Sequence, residues 1–75
     1  MEYNARAFLQ GSFGRSRPSF VKTLTLASVP IIGSTIDIGD GFTAYVEGGA
    51  DRDIVLCVSE DVYKRLTSHG WGPPY

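Results

Sequence analysis

"STIDIGDGFTAYVEGGADRDIVLCV", residues 34–58, decides the fold. Through 34–38 apolar and polar residues alternate, with Ile36 and Ile38 on one side and Thr35 and Asp37 on the other. That period of two marks a strand with one face on a core. "GDG", 39–41, is a tight hairpin signal, since a two-residue turn needs left-handed backbone at its centre. Through 42–48, Phe42, Ala44 and Val46 face one way, and Thr43, Tyr45 and Glu47 the other. "GGADRD" makes a second turn. "DIVLCV", 53–58, is nearly all apolar, which predicts a central strand covered on both faces.

Downstream, Ser59 is a good N-cap, and Glu60 and Asp61 suit the positive end of a helix. Val62, Leu66 and His69 recur at helical spacing, and Gly70 is the expected stop. A helix is predicted over 60–69. Upstream, "SFVKTLTLA", 19–27, reads as a strand with Phe20, Leu24 and Leu26 on one face, interrupted by Lys22. "YNARAFL", 3–9, favours a strand, although its two alanines also permit a helical turn. "SVPIIG", 28–33, breaks the pattern: Pro30 extends Val29, and Gly33 permits the turn into the next strand. The order β-β-β-β-β-α implies one α+β domain over 1–75, a small antiparallel sheet or barrel of four to five strands closed by one C-terminal helix.

The stretch Ser28–Gly49, "SVPIIGSTIDIGDGFTAYVEGG", resembles the proline, glycine, strand, GDG, strand pattern of small SH3-like barrel proteins, including many short bacteriophage-encoded ones. The resemblance implies an SH3-like barrel. It also implies a possible role as an inhibitor of a bacterial defence system, such as a CRISPR complex. It nominates no functional residues.

Charge and cysteine usage bound the chemistry. Net charge is −1, but residues 1–28 carry Arg6, Arg15, Arg17 and Lys22 against Glu2 alone. Residues 29–58 carry Asp37, Asp40, Glu47, Asp51 and Asp53 against Arg52. Such a bipolar chain suits steering of one partner or head-to-tail association. The overall acidity argues against a general duplex binder. A lone cysteine, Cys57, rules out an internal disulfide, and its apolar neighbours predict a buried, slowly reacting thiol. With one histidine and one cysteine, a structural zinc site lacks ligands. Cys57 and His69 fall on different elements, so no nucleophile pair is expected. No carboxylate pair has the apolar surround that acid–base work needs. The expectation is therefore no enzyme, no metal and no cofactor. "MEYNAR" is not a signal peptide, and no apolar run could cross a bilayer, so a cytoplasmic location is expected.

Two stretches suggest binding. "GSFGRSRPSF", 11–20, lacks the lysine and the spacing of a phosphate loop. Its Phe13, Arg15 and Arg17 instead have the aromatic and arginine mix of interface hot spots. In "GWGPPY", 70–75, the prolines stiffen a tail that presents Tyr75. Trp71 is expected to fold back over the open end of the core. If Tyr45, Tyr63 and Trp71 converge, they form an aromatic patch for a partner or a second copy. The leading expectation is a binding module for a protein partner. The alternatives are a nucleic-acid or nucleotide binder using the 11–20 loop, with Phe13 or Tyr45 as a stacking platform, and a structural homo-oligomer.

Overall fold

The computed structural model describes residues 1–11 and 18–72. Five strands precede the helix: β1 (Glu2–Leu9), β2 (Phe20–Thr25), β3 (Thr35–Gly39), β4 (Phe42–Ala50) and β5 (Asp53–Val58). α1 (Glu60–Arg65) follows, then a single 3₁₀ turn over Thr67–His69. The strands form one sheet in the order β2-β1-β5-β4-β3, which curls into a half-barrel.

The hairpin across "GDG" forms as the turn chemistry requires. Gly39 faces Phe42, and Asp40 and Gly41 between them both have positive φ, at 57° and 80°. β3, β4 and β5 then run antiparallel in turn, as do β1 and β2. The sheet is not antiparallel throughout. β1 pairs with β5 in parallel, Ala5 beside Ile54 and Ala7 beside Leu56, so the sheet is mixed. That pairing joins the first strand to the last, and no local pattern announces it.

The alternation on β2, β3 and β4 sorts their faces as expected. Phe20 and Leu24, Ile38, Ala44 and Val46 are buried, with Leu26, Ile36 and Phe42 packed beside them. On β1 the same face carries Tyr3, Ala5 and Ala7, whose small alanines leave room for α1 against the sheet. β5 departs from expectation, because it is central yet covered on one face only. Ile54, Leu56 and Val58 are buried, while Val55 and Cys57 are half-buried on the outward face. A valine and a cysteine satisfy either environment, so an apolar run alone does not report a second layer.

α1 closes one end of the half-barrel. Ser59 caps it, its Oγ accepting the Val62 N–H at 3.5 Å, and Glu60 pairs with Lys64 at 3.3 Å. The inward stripe is Tyr63 and Leu66, one position round from the predicted Val62, which packs at the margin. The predicted helix to 69 tightens after Arg65 into the 3₁₀ turn. Gly70, at φ 89°, reverses the chain so that the Trp71 N–H reaches the Leu66 carbonyl at 3.1 Å. Trp71 folds back as expected and is buried. The connection between β2 and β3, residues 26–34, runs from one sheet edge to the other at the opposite end. Such a short link requires the two edges to curl towards each other.

Candidate interaction surface

The link between β2 and β3 is held firmly at both roots. Leu26 exchanges two backbone hydrogen bonds with Met1, at 2.9 and 3.1 Å. At the far root the Gly33 N–H donates to the Val46 carbonyl at 2.9 Å, and the Val46 N–H to the Ser34 carbonyl at 2.8 Å. The Ser34 hydroxyl and N–H both donate to the Ile31 carbonyl, closing a tight turn. Between these anchors Val29, Ile31 and Ile32 stand 70%, 70% and 63% exposed. Three large aliphatic side chains turned to water on a fixed loop form an apolar knob. Exposed apolar clusters of this kind mark contact sites. Val29, Pro30 and Ile32 share a cleft of about 210 Å³ with Tyr3, Asp51 and Asp53, so carboxylates border the knob.

The outward face of the sheet is the second open surface. Phe8 lies beside Cys57 and Tyr45 lies across from it, a row running over three strands. Tyr45 is 46% exposed. A register shift between Val46 and Gly48 leaves Glu47 as the extra residue, and its carboxylate accepts the Cys57 thiol proton at 2.9 Å. Burial first, and then this hydrogen bond and the charge of Glu47, push the Cys57 thiol up to about 11. The thiol is thus half-buried rather than buried, and a carboxylate adds to the protection that burial gives it. Labelling by a thiol reagent at pH 8 should be on the order of ten- to a hundredfold slower in the native chain than in denaturant. Glu47→Gln should recover part of that rate, burial keeping the rest. Native labelling as fast as in denaturant would refute this. The folded chain holds the proton more tightly than the unfolded one. Cys57 therefore contributes full stability below its ordinary value of 9.0 and loses it as pH rises towards 11.

His69 is engaged elsewhere. Its Nδ1 meets Asp40 at 2.8 Å, its ring stands edge-on to Phe42, and its carbonyl accepts from Lys22 Nζ at 3.1 Å. These contacts tie the helical end of the chain to the β3–β4 turn. Among the described residues no group of three or more histidine, cysteine, aspartate or glutamate side chains could hold a metal ion. Among them, too, no helix is long and apolar enough to cross a membrane.

Comparison with protein-family models, curated proteins and solved structures finds no match.

The predicted aromatic patch does not form. Tyr63 is buried, stacked edge-on against Phe20 at 5.2 Å with its hydroxyl donating to the Pro18 carbonyl, and Trp71 is in the core. Only Tyr45 of the three reaches solvent. Phe13, Arg15, Arg17 and Tyr75 lie outside the described residues. Sequence reasoning passed over Val29, Ile31 and Ile32, reading "SVPIIG" only as an interruption. The signal was available: Val29 before Pro30, and Ile31 and Ile32 between Pro30 and Gly33, with no strand or helix period to bury them.

Proposed function

We propose that the chain is a small protein-binding module that occupies a surface of a larger partner, with the Val29–Ile32 loop as its main contact. The observation that carries this is the exposure of Val29, Ile31 and Ile32 on a loop pinned at both roots. A loop already held in shape loses little entropy on binding, so its apolar area converts efficiently into affinity. The neighbouring Asp51 and Asp53 favour a partner with a basic rim and disfavour nucleic acid. The stretch that resembles small phage-encoded SH3-like barrel proteins contains this loop, which supports a binding role. An inhibitor that blocks a bacterial defence complex is the finer form of the same proposal, with an SH3-like half-barrel as its fold.

The test is a variant carrying Val29→Ser, Ile31→Ser and Ile32→Ser. Because all three side chains face water, its stability should stay within about 0.5 kcal/mol of the parent. Proteins retained by the parent chain from its host extract should be lost. Loss of central apolar anchors costs about 2 kcal/mol or more, some thirtyfold in affinity. An unchanged set of retained proteins with an unchanged melting curve overturns the loop as the contact. Sedimentation of both proteins reads the alternative, self-association through the same loop.

A further inference from the structure

The order β2-β1-β5-β4-β3 leaves two sheet edges, and the curl of the sheet brings them to a common seam. A cleft of about 440 Å³ has Leu24, Thr25, Leu26 and Ala27 on one wall and Asp37, Ile38 and Gly39 on the other. A second, of about 330 Å³, continues it along Thr35 and Ile36 under residues 26–31. The ladder fixes which backbone groups face this seam. On β3 the Val46 N–H donates to Ser34, so the alternation of an antiparallel pair turns Ile36 towards β4. The N–H and C=O of Thr35 and Asp37 therefore point away from β4, into the seam. On β2, Leu26 exchanges its bonds with Met1, which turns Val21, Thr23 and Thr25 outwards. The Val21 carbonyl confirms that direction by accepting from the Gly72 N–H at 2.7 Å. Beyond it, no strand among the described residues pairs with either edge.

We propose that this seam binds an extended segment of a protein partner by strand addition on the free edge of β3. The proposal rests on different atoms from the loop contact and stands or falls separately. Strand addition supplies main-chain hydrogen bonds for affinity and side-chain pockets for specificity. The seam selects a single strand. β2 forms its far wall, so an incoming strand that already carried a neighbour, such as β3 of a second copy, would drive that neighbour into β2. The walls define the occupant's side chains. Alternate residues facing inwards would meet Leu24, Leu26, Ile36 and Ile38, which favours aliphatic groups. The residues between them would lie beside Thr25, Thr35 and Asp37. The Asp37 carboxylate is fixed at the rim by the Gly39 N–H at 2.8 Å, so it favours a lysine or arginine there. The five-residue length of β3 and its irregularity after Asp37 limit pairing to a short segment and guard the edge against indiscriminate association.

Selection from a random dodecapeptide library, with the parent chain as bait, tests this. The enriched peptides should alternate aliphatic and polar residues and include a basic one. Thr35→Pro removes an N–H that the fold does not use, and proline is tolerated on the free side of an edge strand. The variant should stay folded yet bind the enriched peptides about tenfold or more weakly. Ile32→Ser, on the loop but outside both clefts of the seam, should bind them as the parent does. Amide exchange in the parent gives a reading independent of any variant. The Thr35 and Asp37 amides should slow about tenfold or more on peptide addition, while Ile36 is already protected. Peptide binding lost with Ile32→Ser and kept with Thr35→Pro overturns the seam in favour of the loop. Amides of Thr35 and Asp37 that do not slow, or an enriched pool without alternation, overturn it outright.

Discussion

Replacing Trp71 with alanine is expected to lower stability by about 3–5 kcal/mol, in the range for emptying a large aromatic site in a core. The side chain is only 5% exposed and packs in one cluster with Tyr63 and Leu66, where α1 closes the half-barrel. Its backbone is committed as well. The Trp71 N–H satisfies the Leu66 carbonyl, and the next residue bonds the edge of β2 through Val21. Removing the indole therefore opens a cavity at the one place where helix, 3₁₀ turn and β2 meet. A chain of this length has roughly 4–11 kcal/mol of stability in all, so the loss is a large share of it. For a domain of this size the melting temperature should fall by roughly 15–30 °C. Trp71→Phe should recover part of the loss. A thermal melt followed by circular dichroism reads both variants, and a fall below about 5 °C for the alanine variant would refute the closure role. Any weakening of partner binding by Trp71→Ala then follows from unfolding, not from a lost contact.

Trp71 also shows where sequence was a good guide. Its return over the core was expected because a large amphipathic ring near the end of a small domain has nowhere better to go. The faces of β2, β3 and β4 were legible for the same kind of reason. Alternation is a local property, and Ile38, Ala44 and Val46 needed only their neighbours to be placed. The "GDG" turn was legible because positive φ at Asp40 and Gly41 is a demand on residue type. What failed was non-local. The parallel pairing of β1 with β5 depends on how the whole sheet curls, and turn chemistry between neighbours says nothing of it. The one-sided cover of β5 went unread because Cys57, between Phe8 and Tyr45, and Val55, beside Arg6, gain partial shelter from neighbouring strands on the open face, not from a second layer. The Val29–Ile32 knob is the clearest case. A broken pattern reveals a loop, but the exposure of its side chains is set by Met1 and Val46, which are distant in sequence and hold its roots.

The second large effect is expected at Gly49, where two neighbouring glycines make a controlled comparison. Gly49 has φ 153° and faces Ile54 across the β4–β5 ladder. A Cβ built there would sit 2.5 Å from the Asp53 carbonyl oxygen and 3.0 Å from the Ile54 Cα. Both obstacles are backbone, so no side-chain rotation relieves them. Alanine would have to push the start of β5 away, and β5 is held there from the other side, where the Asn4 N–H donates to the Arg52 carbonyl at 2.7 Å. Backbone strain of this kind costs about 1–3 kcal/mol, and displacing a central strand adds to it. Gly49→Ala should therefore lose about 3 kcal/mol or more. Gly48 differs in both respects: a Cβ there meets nothing within 4 Å, and its φ lies outside the left-handed range. Gly48→Ala should be neutral, or stabilising by up to about 1 kcal/mol, because alanine restricts the unfolded chain without straining the folded one. Urea titrations of the two variants side by side read the difference. Equal midpoints would mean that β5 yields at its start without cost.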